Sequence, residues 1–310
     1  MTLTELRYIV AVARERHFGR AAEACHVSQP TLSVAIKKLE EELGTQIFER
    51  TNTEVAMTSL GTLIVEQAQR VLEEAKSLKH LAKHGQDPLS GPLRLGAIYT
   101  IAPYLLPSLV RVSRELMPNA PLFLEENFTV RLLEMLRQGA LDCAVLADPF
   151  PSSGLEVIDL YEEPFLVAVP KDHPWQSRAF IAHQELKEQN TLLLGAGHCF
   201  RDHVLGVCPE LNRLGSGSTI GEQRSFEGSS LETIRQMVAG GIGISVLPRT
   251  SVADPMTKEG LIRYISLENP IPTRRVCLVW RKSYPRGAAM QKLAQIIQQC
   301  ELPGVTFINA

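Results

Sequence analysis

The sequence predicts three parts: an all-α head with a small hairpin, one long linking helix, and an α/β half built of two subdomains. Three observations carry this. Residues 1–57 hold short helical apolar periods. From 58 to about 83 the apolar positions Ile64, Ala68, Val71, Ala75, Leu78 and Ala82 are spaced 4-3-4-3-4, the seam of a coiled coil. After GQDPLSGP (85–92), a linker by composition, strand-like and helix-like segments alternate, which implies α/β units with mainly parallel sheets.

In the head, ELRYIVAVARERH places Leu6, Ile9, Val10 and Ala13 at helical spacing. In HFGRAAEACHVSQPTLSVAIKKLEEELG, Phe18, Ala21, Ala22 and Cys25 form a short apolar face, and a turn is expected at His26-Val27. Ser28 is placed to cap the next helix, Pro30 is tolerated in its first turn, Leu32, Ile36 and Leu39 face inward, and Gly44 ends it. Two short helices joined by a tight turn are a helix-turn-helix signal. FERTNTEVAMTS reads as a hairpin, or wing, with the polar tip Thr51-Asn52-Thr53. The helix that follows reads as a dimerisation and linker helix; the alternative is a helix lying on its own domain.

Beyond the linker, PLRLGAIYT reads as strand and loop, IAPYLLPSLVRVSREL as helix, PLFLEE as strand, TVRLLEMLRQG as helix and LDCAVLAD as strand. A second series starts near PFLVAVP. TLLLGAGHC is a strand that delivers Cys199, and SSLETIRQMVAGGIGISVLP is a helix, a glycine turn and a strand. RRVCLVWRK and MQKLAQIIQQC add a strand and a last helix.

With 310 residues, 45% hydrophobic and 21% charged, the chain can bury large cores in two or three domains. No run of eighteen apolar residues exists, so no membrane span is expected. The N-terminus lacks the pattern of a signal peptide, so a reducing cytoplasm is the expected location. There, six cysteines (Cys25, Cys143, Cys199, Cys208, Cys277, Cys300) are not a disulfide framework. A net charge of -2 gives no hint of nucleic acid.

HCFRDHVLGVC, from His198 to Cys208, stands out with two cysteines, two histidines and an Arg-Asp pair. A thiol is a nucleophile only as thiolate, and with an ordinary pKa of about 8.5 only a few per cent is reactive at neutral pH. A charged His198, and the start of a helix expected near Arg201, would favour the anion at Cys199. The bland alternative is a pair of inert core thiols. A metal site from Cys199, Cys208, His198 and His203 is a third reading, and the C-x8-C spacing does not match common zinc patterns.

HFGRAAEACHVSQPTLSVAIKKLEEELGTQIFER and the trailing MTSLG resemble the LysR-type transcriptional regulators over essentially the whole chain. The resemblance implies a winged helix-turn-helix at 1–57, a linker helix and linker at 58–87, and a regulatory half similar to periplasmic binding proteins. Its first subdomain would be 88–163 with 268–310, and its second, holding the cysteine pair, 164–267. GHCFRDHVLGVCPE with SSLETIRQMVAGGIGI resembles the OxyR-like peroxide sensors of that family. This implies that hydrogen peroxide oxidises Cys199 to a sulfenic acid, which Cys208 resolves to a disulfide. It also points to Thr100, Thr129 and Arg274 beside His198 as the peroxide-binding set, with Arg275 the alternative to Arg274. The site would lie in the cleft between subdomains. No cofactor and no metal is implied.

The resemblance further implies double-stranded promoter DNA as partner, a homodimer or homotetramer, RNA polymerase contact, activation of oxidative-stress genes, and no membrane association. The first 86 residues hold eleven Lys/Arg and eleven Asp/Glu, but up to Lys38 there are six basic and three acidic. Gln29, Pro30, Thr31 and Ser33 open the second helix of the motif, where small side chains reach base edges. Lys37, Arg50 and Arg20 suit phosphates. The rival within the family is a regulator that binds a small anionic metabolite in the same cleft. The rival from another class is a thiol peroxidase, which has no reason to carry a DNA-binding half. If 201–208 is helical, nine residue steps separate the two Cα atoms by about 13 Å. A disulfide tolerates about 4.4–6.8 Å. The expectation is two states, with the sulfurs far apart when reduced and the 199–208 segment refolded when oxidised, helped by Gly206.

Overall fold

The computed structural model describes residues 1–50, 55–84, 87, 89–211, 227–228, 230–252 and 260–308. The head comprises α1 (Leu3–Glu15), α2 (Phe18–Ala24) and α3 (Gln29–Leu43), then the antiparallel pair β1 (Phe48–Arg50) and β2 (Val55–Met57). Thr2 and Glu5 form a capping box on α1. His26, at φ 56, makes the turn into α3, Ser28 caps that helix and Gly44 ends it in the left-handed conformation. The expected hairpin tip, 51–53, lies outside the described residues.

α4 (Ser59–His84) is the long linking helix. Gly61 lets its first turn press onto the head: a Cβ there would stand 2.1 Å from the Ile47 carbonyl oxygen. The apolar seam divides along its length. Ala68 is buried in the head's core, and Ile64 and Val71 pack against it, as in the alternative reading. Leu78, further along, is 70% exposed. A buried polar joint ties the same helix to the α/β half. Glu73 pairs with Arg281 and accepts a hydrogen bond from Ser283 at 2.6 Å, and Gln69 donates to Glu73 at 3.2 Å.

The α/β half contains β3 (Leu93–Ile98), α5 (Ala102–Leu116), β4 (Leu122–Asn127), α6 (Thr129–Arg137), β5 (Cys143–Ala147), β6 (Leu155–Pro170), β7 (Phe180–Ile181) and β8 (Thr191–Leu194). It continues with α7 (Cys199–Val207), β9 (Glu227–Gly228), α8 (Leu231–Ala239), β10 (Ile244–Pro248), β11 (Ile262–Leu267), β12 (Thr273–Arg281), α9 (Gly287–Gln298) and β13 (Thr306–Phe307). The strand order is β4-β3-β5-β12-β6-β10-β8-β9.

The sheets are mixed, not mainly parallel as the alternation suggests. β3 runs parallel to β4 and β5, and β10 parallel to β8, as βα units require. β12 returns antiparallel to β5 and β6, and β6 is antiparallel to β10 and β11. The sixteen-residue β6 joins both halves: Leu155–Pro164 pairs with β12, and 165–170 with β10 and β11. The expected boundary between 163 and 164 falls inside this strand. Two separate cores result, one under β3, β5 and β12 and one under β8, β10 and the second half of β6.

Candidate functional site

Three helices begin at one small cavity. It is lined by Ile98, Tyr99 and Thr100 before α5, by Asn127, Phe128 and Thr129 at the start of α6, and by Gly197, His198 and Cys199 at the start of α7. No side chain caps any of the three helix starts, so their partial positive charge faces this space. The cavity leaves about 10 Å³ for the centre of a water-sized molecule, which is about the room one water needs.

Aromatic rings close its mouth. Phe128 meets the His198 ring edge-on at 4.8 Å, and Tyr99 meets Phe128 at 5.2 Å. Gly197 has φ +96°, and a Cβ there would already touch the Phe128 ring at 3.4 Å. Inside, the Thr129 hydroxyl is buried and has no hydrogen-bond partner. Such an oxygen loses about 1–3 kcal/mol unless something in the cavity satisfies it.

The remaining expected polar residues sit behind the wall. Arg274 is 1% exposed and does not line the cavity, in contrast to the expectation that it stands directly at the site. It reaches the cavity through Thr100: Nη1 donates to Thr100 Oγ1 at 2.7 Å and Nη2 to the Thr100 carbonyl at 2.9 Å. Its Nε donates to Glu163 Oε2 at 2.7 Å, and its guanidinium lies 5.1 Å from the Phe200 ring centre. Arg275 points the other way, half-exposed, to Asp159 and Glu162. Alternation along β12 separates the two.

Cys199 and Cys208 are both free thiols. α7 begins at Cys199 itself, two residues before the start expected near Arg201, and Cys208 caps its far end. Cys199 is half-buried and packs against the first core, whereas Cys208 is 1% exposed within the second. Burial and a hydrogen bond from its Sγ to Glu210 at 3.5 Å push the Cys208 thiol up from its ordinary pKa. His203, midway along α7, bonds the Asp148 carbonyl at 2.8 Å through Nε2. Burial lowers its pKa, and because a carbonyl only accepts, Nε2 is the donor. The four residues of the metal reading are thus spread over two turns of helix, and among the described residues no group of three or more potential ligands is placed to hold a metal.

On the head, Gln29, Pro30, Thr31 and Lys37 are exposed along α3, while Ser33 is half-buried at the edge of that face. Lys37 makes a loose pair with Glu41 at 3.8 Å. Arg20 is exposed and donates to the Glu15 carbonyl at 2.7 Å. Arg50 lies in β1, and its side chain is outside the described residues. Sequence reasoning missed Val34, 68% exposed on the same face, an apolar side chain of the kind that meets thymine methyls. It also missed Tyr99, Phe128 and Glu163. The first two were hidden in loops, and the last in a strand whose EE pair reads as a surface.

Residues 3–62 match the bacterial regulatory helix-turn-helix family of LysR type, and residues 86–300 match the LysR substrate binding domain. The chain is 41% identical over 298 residues to the Escherichia coli K12 DNA-binding transcriptional dual regulator OxyR, covering 96% of this chain and 95% of that protein. It is 41% identical over 299 residues to a hydrogen peroxide-inducible genes activator of Pectobacterium carotovorum, covering 96% of each. Full-length OxyR of Pseudomonas aeruginosa, solved as a cysteine-to-aspartate mutant, superposes with a TM-score of 0.79 at 47% identity, over 100% of this chain and 98% of that one. A cysteine-to-serine mutant of Corynebacterium glutamicum OxyR with H2O2 bound gives 0.64 at 34% identity, over 96% and 92%. Among the described residues no helix is long and apolar enough to cross a membrane.

Proposed function

Since the chain belongs to the LysR family of bacterial helix-turn-helix regulators, we propose that it is a cytoplasmic transcription regulator that reads hydrogen peroxide through Cys199 and Cys208. One observation carries this reading most: a buried hydroxyl without a partner belongs to Thr129, which lines the same small cavity as Cys199. Peroxide is among the few reactive molecules close to water in size, and it offers an oxygen to that hydroxyl. A metabolite large enough to need a cleft does not fit. The peroxide-related names and the bound H2O2 of the relatives agree with it.

The chemistry runs in two steps. The Cys199 thiolate attacks one peroxide oxygen, the S–O bond forms as the O–O bond breaks, and the departing hydroxide takes a proton to become water. Sulfur loses two electrons and peroxide gains them. Thr129, Thr100 and the amides of three helix starts stabilise the negative charge on the leaving oxygen, the kind of donor worth about 2.7–4 kcal/mol each at comparable sites. The Cys208 thiol gives up its proton and attacks the sulfenic sulfur as thiolate, the S–S bond forms as the S–O bond breaks, and the departing hydroxide takes up that proton and leaves as water. Nine helical steps separate the two residues, a rise of about 13 Å, so α7 must unwind before they meet within about 4.4–6.8 Å.

We assign 1–57 to DNA reading, 58–87 to the linker, 88–163 with 268–310 to the first regulatory subdomain and 164–267 to the second. Gln29, Pro30, Thr31 and Ser33 face bases, and Lys37, Arg20 and Arg50 face phosphates. The chain acts as a homodimer or homotetramer that activates oxidative-stress genes with RNA polymerase. Intact mass under non-reducing conditions, before and after peroxide, with the linked peptides identified, tests the sensor reading. A Cys199–Cys208 linkage supports it, and no thiol loss at Cys199 overturns it.

A further inference from the structure

We propose that Glu163 is a positioning residue for the peroxide step: it fixes which face of Arg274 meets Thr100, and thereby aims the Thr100 hydroxyl into the cavity. This rests on the peroxide reading above. Glu163 and Arg274 stand opposite each other across β6 and β12, and both side chains are fully buried. A buried guanidinium left without its counter-charge is strongly unfavourable, so the pair is held together wherever Arg274 goes.

The bonding pattern then sets geometry. Glu163 Oε2 takes Nε and Nη2 of Arg274. Glu163 Oε1 is held from the other subdomain by Thr250, through its backbone N–H at 2.7 Å and through its hydroxyl. With two of its nitrogens engaged by the carboxylate, Arg274 presents Nη1 to Thr100 Oγ1. A hydroxyl has one hydrogen to give. Because Thr100 Oγ1 accepts a charge-assisted bond from Arg274, its own hydrogen is turned away from the arginine, and Thr100 lines the cavity. The chain Thr250–Glu163–Arg274–Thr100 thus runs from the second subdomain to the wall of the site, and Glu163 touches neither peroxide nor Cys199.

The test compares full-length wild type, Glu163→Gln, Arg274→Ala and the double variant by stopped-flow oxidation of Cys199 over a range of hydrogen peroxide concentrations. Glu163→Gln is expected to lower the second-order rate constant at least about tenfold while reduced operator binding stays at the wild-type level. The double variant is expected to be no slower than Arg274→Ala, because Glu163 acts only through that arginine. This non-additivity is what a merely structural role would not produce. Thr250→Val, which keeps the ion pair and removes one donor to Glu163, should slow the step by a smaller factor, and it decides the matter if Glu163→Gln does not fold. Wild-type rates in Glu163→Gln, or in Thr250→Val when the first is unfolded, overturn the inference and leave the peroxide reading standing. Losses that multiply in the double variant overturn it as well. A wild-type Cys199 that ignores peroxide overturns both.

Discussion

Strand β12 ends in a buried arginine on each side of the first subdomain, and the two ends differ in what the arginine holds. At one end Arg274 pairs with Glu163 on the adjacent strand, in sheet register, behind the cavity wall. At the other, Arg281 pairs with Glu73 of the linking helix and donates to the carbonyls of Leu136 and Leu141. Buried ion pairs contribute little net stability compared with apolar packing, but breaking one is costly, so what they specify is geometry. At the Arg274 end that geometry is the direction of one hydroxyl. At the Arg281 end it is the seat of a twenty-six-residue helix that continues from the DNA-reading head. On the proposed reading, the same chemistry serves sensing at one end and attachment at the other.

The sharpest way to break the comparison is to remove the chemistry and keep the attachment. Cys199→Ser should abolish peroxide-induced disulfide formation in mass spectra while reduced-state operator affinity is unchanged; equal loss of both would remove the division between the ends. Arg274→Ala comes next. It should slow Cys199 oxidation up to about 100-fold, the effect of one misaimed donor, the Thr100 hydroxyl, with thermal unfolding measured alongside to show that the regulatory half remains folded.

The opposite lesion is Glu73→Gln, which keeps the shape of the Arg281 joint and deletes its charge. The oxidation rate of Cys199 should then stay within about twofold of wild type, while Arg281, left as an uncompensated buried charge, weakens the seat of the linking helix. Limited proteolysis of that helix should speed up, and the peroxide-dependent change in DNA footprint should shrink. A slowed oxidation rate here would mean that the two ends are one system. The smallest effect is expected far from both: Lys37→Ala should weaken operator binding nearly uniformly across sequences and lower the salt slope by about 1, with no change in thiol kinetics.

The head and the linking helix were legible from sequence because local rules decide them: a capping Ser28, a terminating Gly44, apolar faces at helical spacing. Cys199 and Cys208 stood out because two thiols and two histidines crowd the eleven residues from His198 to Cys208. What was not legible depends on strand direction and on burial. RRVCLVWRK reads as a strand, but nothing local says that it returns antiparallel and so brings Arg274 opposite Glu163. Glu73 sits in RVLEEAKS, which reads as a solvated helix face, and is 4% exposed only because Arg281 arrives from a distant strand. The vacant hydroxyl of Thr129 has no sequence signal at all; it is defined by the partners that the fold withholds.

Cys208 lies inside the second core, on the far side of an intact helix from Cys199. The consequence is one of time. The first oxidation is a collision and should quicken in proportion to peroxide. In the proposed second step, closing the disulfide would require Cys208 to leave a packed interior, an event whose pace belongs to the protein and not to the oxidant. The kinetics should therefore show two phases, the second levelling off to a constant rate as peroxide rises. Such a device keeps a clock. If the proposed two steps hold, a pulse shorter than the opening time leaves only sulfenic acid, which cellular reductants can erase, and a longer one is written into a rearranged fold that outlasts the stimulus.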